Sequence, residues 1–197
     1  MIKLTKTELR DQQVKLAQLS KYLPTLQLKK AMLQVEVNVV QQEIEELANK
    51  FDLVEEKIKK YALLFSDRAA TDLFSLVKVQ ESLKEYENIA GVEIPIFKGV
   101  VFEEENYFLF DAPVWLEAAA EGVKKLLVLR EKIKVAKEKK QALEKELREV
   151  SIRVNLFEKI MIPRAVENIK KIKIFLGDQQ LAAVSQAKVS KKKIMQR

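Results

Sequence analysis

A seven-residue apolar repeat governs what this chain can fold into. Every seventh position from Leu9 reads Leu9, Leu16, Leu23, Lys30, Val37, Ile44, Phe51, Ile58 and Phe65; the positions three further on read Gln12, Leu19, Leu26, Leu33, Val40, Leu47, Val54 and Tyr61. Fifteen of these seventeen are apolar in a chain that is 48% hydrophobic, whereas an even spread would give about eight. That excess marks the seam of a coiled coil. At about 1.5 Å per residue the helix would be roughly 85 Å long, too long for any globular core to cover, so it requires a partner.

The partner lies in the same chain. A second ladder runs Ala119, Leu126, Ile133, Lys140, Leu147, Val154 and Met161, with Gly122, Leu129, Ala136, Leu143, Val150 and Phe157 three positions on; eleven of the thirteen are apolar. At Pro163 the phase slips by one residue and resumes as Ile162, Ile169 and Leu176 with Ala165 and Ile172, a change that alters how a seam winds. The two ladders have nearly equal spans, which predicts an antiparallel hairpin whose facing positions sum to about 185. On that register Lys140 falls near Glu45. The bases Lys125, Arg130, Lys132, Lys137 and Lys139 face Glu45, Glu46, Glu55 and Glu56, and Pro24 comes level with Met161 to Pro163. Pro24 itself predicts a kink or short break around Tyr22 to Pro24, because proline inside a helix removes a hydrogen bond and costs about 3 kcal/mol.

Between the ladders the pattern changes. Ser66 or Asp67 can cap a short helix whose apolar face is Leu73, Leu76, Val77, Leu83 and Tyr86, ending near Asn88. Alternating β-branched and aromatic residues from Gly91 to Trp115 predict a small β-hairpin turning at Glu103 to Asn106, with Pro95 confining its strand to an edge. Gly177 reads as a helix stop before a basic tail. The expected fold is therefore mainly α, a long intrachain antiparallel two-helix coiled coil with a central insert. Its parts are an N-terminal helix over 1–65, an insert over 66–115, a C-terminal helix over 116–176 and a tail over 177–197. Thr5 or Thr7 can cap the first helix.

The composition offers little equipment for chemistry. With no cysteine and no histidine, thiolate chemistry, zinc sites and imidazole catalysis fall away. The four glycines are isolated and none begins a phosphate-binding loop, so no cofactor and no catalytic residue is expected. Glu103, Glu104 and Glu105 read as a solvated tip. The opening residues lack the apolar core of a signal peptide and no stretch reaches about 20 uncharged apolar residues, which together suggest a soluble cytoplasmic protein. A net charge of +7 is compatible with an acidic partner, but most lysines alternate with glutamates as on a solvated helix face. Direct nucleic-acid binding is not expected.

Two stretches carry a specific resemblance. Arg153, Val154, Asn155, Leu156, Phe157, Glu158, Lys159, Ile160, Met161, Ile162, Pro163 and Arg164 resemble the RVNALE...IP motif of the D subunit of V-type and A-type ATPases. Asn88 to Phe97, with Gly91, Val92, Ile94, Pro95 and Phe97, is similar to that family's GV.IP.F segment. Departures occur at Leu26 to Leu33, which lacks the family's arginine–aspartate pair, and after Gly177, where a lysine tail replaces an acidic and arginine-rich stretch. The resemblance implies a non-catalytic central-stalk rotor subunit, peripheral to the membrane as part of the ATPase complex. Its coiled coil would enter the ring of catalytic and nucleotide-binding subunits, A and B, beside a small stalk subunit, F, with its middle region facing a membrane-rotor adaptor. Candidate contacts or shaft features on this reading are Pro24, Lys30, Ile94, Pro95, Phe97, Asn155, Pro163 and Arg164. A prefoldin-like chaperone or adaptor is the alternative, since it shares the order helix, β-hairpin, helix.

Overall fold

The computed structural model describes residues 2–60, 77–103 and 115–196. Helix α1 spans Lys6–Lys59, strands β1 and β2 span Val79–Ile89 and Val92–Phe102, helix α2 spans Leu116–Leu156, a π-helical turn spans Phe157–Met161, and helix α3 spans Ile162–Met195. The chain separates into two compact units. One comprises Met1–Lys30 with Arg148–Arg197, the other Ala31–Leu147, so α1 contributes to both.

Thr5 caps α1 by accepting the Glu8 N–H on its Oγ1 at 3.2 Å, and Glu8 adds negative charge where the helix dipole favours it. From Leu9 to Ile58 every ladder position is buried or half-buried. The helix runs unbroken through Pro24, so the expected break is absent. Pro24 is exposed, which leaves the carbonyl it deprives of a donor open to water. Thr25 Oγ1 donates to the Tyr22 carbonyl at 2.8 Å. One lost hydrogen bond is then outweighed by the seam, where each buried Leu or Val contributes about 1.5–3 kcal/mol.

In the unit formed by residues 31–147, α1 and α2 run antiparallel. Glu43 meets Lys139 at 3.8 Å, and a Cβ added at Gly122 would lie 3.3 Å from Ile58 Cδ1, so glycine permits a close helix approach at that level. Leu33, Val40 and Leu143 form a dry seam with no exposure, with Val135 and Ala136 beside them. Facing numbers sum to 180–182, about one helical turn short of the sequence estimate. That shift removes Lys140 from Glu45; Lys140 instead pairs with Glu144 in its own helix at 3.3 Å. Lys125 likewise takes Glu121 at 2.7 Å. A helical i,i+4 neighbour is within reach without ordering a second element.

The hairpin is longer, and set earlier, than its sequence suggests. Residues 79–88 are strand rather than the end of a short helix, and β1 pairs antiparallel with β2, Tyr86 opposite Pro95 and Ile89 opposite Val92. The turn is Ala90–Gly91, with φ of 52° and 83°, the positive pair of a type I′ connection. Asn88 Oδ1 accepts the Gly91 N–H at 2.9 Å. Glu103 is therefore not a turn residue; its N–H donates to the Lys78 carbonyl at 3.0 Å and extends the ladder. The rest of the anticipated tip, residues 104–106, and the rest of the anticipated short helix, residues 66–76, lie outside the described residues. Leu83 and Tyr86, assigned from sequence to a helical face, are exposed strand residues. A register shift between Leu83 and Lys84 leaves Lys98 as the bulged residue, where it pairs with Glu85.

In the unit formed by 1–30 and 148–197, α2 passes into the π turn and then α3. Ile162 N–H donates to the Phe157 carbonyl, five residues back. A π turn inserts one residue into a helix, which is the physical content of the one-residue slip in the ladder. In unbroken phase, seven-residue steps from Val154 and Phe157 would place Arg164, Asn168 and Lys171 on the seam. The inserted residue brings Ala165, Ile169 and Ile172 there in place of Arg164 and Lys171, and Asn168 stays buried beside them. Pro163 follows at the first turn of α3, where its missing N–H matters least. Gln12 faces Asn168 across this seam, and counting back from that pair sets Pro24 opposite residues 155–156, about 10 Å along the axis from Pro163.

Gly177 does not stop the helix: α3 continues to Met195. Gly177 has open space around it and is followed by good helix formers such as Gln179, Leu181, Ala182 and Ala183, which offset its propensity cost of about 1 kcal/mol. Residues 178–196 are helical up to Met195, yet exposed throughout.

Candidate functional site

Among the described residues no three His, Cys, Asp or Glu side chains converge as metal ligands do, and no helix is long and apolar enough to cross a membrane. What the fold builds is surface.

The first surface belongs to the hairpin. Ile94 is fully buried and Pro95 buried. Pro95 and Phe97 line a cleft of about 230 Å³ with Leu47, Val135 and Ala136. Sequence reasoning singled out these three residues, and the structure gathers them on β2 against the helices. It missed what fastens them. Lys132 Nζ stands 5.5 Å from the centre of the Phe97 ring, Lys124 stands 5.8 Å from that of Phe102, and Lys84 pairs with Glu138 at 2.5 Å. Cations over ring faces contribute about 0.5–1 kcal/mol at exposed sites. The hydrogen bond to Glu138, followed by the attraction of that carboxylate, holds the Lys84 ammonium above its ordinary value of 10.5.

The second surface surrounds the π turn. Arg164 lies on the wall of a cleft of about 400 Å³ that Lys15 of α1 shares, over Leu156, Ile160 and Met161. Asn168 borders the same cleft, 8% exposed, and its Nδ2 donates a long 3.5 Å hydrogen bond to Gln12 Oε1. Gln12 Nε2 donates in turn to Glu8 at 2.9 Å. Gln12 was legible as one of two polar members of the first ladder; Asn168 lies two seven-residue steps from Val154 but was passed over because the ladder resumes in the slipped phase at Ile169. Pro24 and Asn155 are exposed on their helices, Pro163 is exposed beside Arg164, and Lys30 is half-buried at its seam position. None of these four lines either cleft.

Charge divides sharply between the units. Residues 1–30 and 148–197 hold nineteen Lys and Arg against six Asp and Glu, a net +13; residues 31–147 hold seventeen against twenty-three, a net −6, and the two give the chain's +7.

A long antiparallel helical pair with a latched hairpin, offering contact surfaces, defines a scaffold or shaft. Residues 8–192 match the family of ATP synthase D subunits. Proteins named as the D subunit of V-type ATP synthase are 44% identical over 197 residues in Chlamydia abortus, covering 100% of this chain and 95% of that protein. In Chlamydia pneumoniae the figure is 43% over 194 residues, 98% and 93%, and in Chlamydia trachomatis serovar L2 it is 43% over 196 residues, 99% and 97%. The chain belongs to the family of ATP synthase D subunits. That membership spans both ladders and the hairpin, and it disfavours the prefoldin-like alternative.

Proposed function

We propose that this chain is the central-stalk shaft of a V-type rotary ATPase or ATP synthase, coupling transmembrane ion flow to ATP synthesis or hydrolysis without catalysing either. The observation that carries the reading is the family match over residues 8–192. The geometry supports it, because two long helices sharing a dry seam resist bending and twisting better than one, and torque transmission needs stiffness rather than reactive groups. The partners are the catalytic and nucleotide-binding subunits around the helical pair, the small stalk subunit beside it, and a membrane-rotor adaptor toward the hairpin. Ion movement turns the shaft, and unequal contacts around it drive neighbouring catalytic sites through different conformations; hydrolysis reverses the sequence. Pro24, Lys30, Asn155, Pro163 and Arg164 belong on this reading to the part inside the ring, and Ile94, Pro95 and Phe97 to the stalk contacts. The chain then works in the cytoplasm, held at the membrane through the complex.

Reconstitution tests this. ATPase complexes assembled with the chain should pump ions when given ATP, and complexes assembled without it should hydrolyse ATP with no ion movement. Equal ion pumping with and without the chain would refute the shaft reading.

A further inference from the structure

Resting on that reading, we propose that the cleft at the π turn seats a carboxylate from an acidic, apolar-flanked segment of a ring subunit, with Lys15 and Arg164 as its counter-charges. Four observations converge on this cleft. The cleft belongs to the unit of net +13, so the field around it favours an acidic partner before any contact forms.

Second, Lys15 and Arg164 have no ion pair among the described residues, although Arg153 and Lys171 in the same unit each pair with a glutamate four residues before them. Asp11 stands one turn before Lys15 but makes no ion pair with it. The positions four residues either side of Arg164 are Ile160 and Asn168, and the acid nearest to it in sequence, Glu167, is engaged by Lys171 at 3.6 Å.

Third, Arg164 reaches the cleft because of the π turn. In unbroken heptad phase residue 164 would face the seam, where an unpaired guanidinium is costly; the inserted residue rotates it to the rim while Ala165 takes the seam. π turns recur at functional sites, and this one positions a cation.

Fourth, the cleft, of about 400 Å³, is lined by apolar Ile2, Leu156, Ile160, Met161 and Ala165 as well as by the polar Gln12 and Asn168. A bare anion would leave the apolar lining wet, whereas a carboxylate with an apolar neighbour in sequence would satisfy the cations and the apolar lining together. Arginine's planar fork suits a carboxylate bidentately. A binding contact of this kind lets the shaft grip one member of the ring at a time.

The test measures binding of the full chain to the purified catalytic ring across a range of salt. Lys15→Glu with Arg164→Glu should weaken binding by about tenfold or more at low salt and flatten the salt dependence. Lys188→Glu with Lys192→Glu makes the same charge change elsewhere in the unit and should weaken binding by less than about threefold. Helical content by circular dichroism establishes that both fold. Should the reversal misfold, Lys15→Gln with Arg164→Gln should still weaken binding more than Lys188→Gln with Lys192→Gln. Equal losses in the cleft and control variants would overturn the proposal. So would inorganic phosphate binding to the isolated chain that depends on Lys15 and Arg164 while ring affinity does not. A wild-type chain that fails to bind the ring removes the shaft reading and this inference with it; intact wild-type binding with an unaffected cleft variant removes this inference alone.

Discussion

Around Leu33, Val40 and Leu143 the seam is apolar but for the half-buried Lys140, and each of these three side chains has no exposure. Around Asn168 the seam holds a buried amide, a glutamine facing it and an extra residue in the helix 7–11 positions earlier. The first region keeps strict seven-residue phase, so interlocking side chains suffice to set its register. The second breaks phase, and its helices would present Arg164 and Lys171 inward without the π turn. There the backbone yields, and a polar pair marks which residues belong opposite each other. Stiffness and partner recognition thus occupy different stretches of the same helical pair: the unbroken seam carries a net −6 unit, the distorted one a net +13 unit with open cations.

Single-residue deletions should separate the two regions most sharply. Removing Lys145 from the unbroken stretch would rotate Val150 and Val154 by about 100° relative to Leu143, and stability to denaturant should fall by about 3 kcal/mol or more as buried contacts are lost. Removing Lys159 should do the reverse, because it takes out the inserted residue: Ile169 and Ile172 then keep seven-residue phase with Val154 and Phe157 in an ordinary α-helix. Stability should stay within about 1 kcal/mol of the parent. A large loss on removing Lys159 would mean that the π turn is itself needed for packing. The polar pair gives a smaller effect. Gln12→Leu with Asn168→Leu should change stability by about 0–1 kcal/mol in either direction, since replacing both partners by apolar groups is nearly neutral. A loss above about 2 kcal/mol would assign the pair a stabilising rather than a register-setting role.

The helical pair was legible because its signal is redundant. Many ladder positions agree, so exceptions such as Lys30 and Gln12 leave the phase intact, and the slip at Pro163 announced the π turn without specifying its form. Register was less legible: charges on the outer faces find partners within their own helix, as Lys140 does with Glu144, and so do not report what lies across. The first strand was misread because it is polar on both faces, with Leu83 and Tyr86 spaced three apart as in a helix and both exposed. Its turn was hidden because Ala90 takes a positive φ that alanine rarely adopts. The helix after Gly177 was missed because an isolated glycine costs less than its propensity rank suggests when good helix formers follow. The cleft needed the structure, since Lys15 and Arg164 lie far apart in sequence and meet only through the folded pair.

The smallest effect tests whether the hairpin is fastened to the unbroken region by charge as well as by packing. Lys84 is a quarter exposed and Glu138 two-fifths exposed, so their pair contributes about 0–1 kcal/mol. The hydrogen bond to Glu138 raises the lysine above 10.5. A group whose folded value is raised stabilises the fold fully below its ordinary value, and that contribution disappears as pH climbs through the folded value. The difference in melting temperature between the parent and Lys84→Met should therefore be present near about pH 8 and vanish near about pH 12. Referring each measurement to the variant cancels the titration of the remaining lysines and tyrosines. A difference that persists at high pH would show that the aliphatic stem of Lys84 supplies the attachment and that the ion pair is incidental to it.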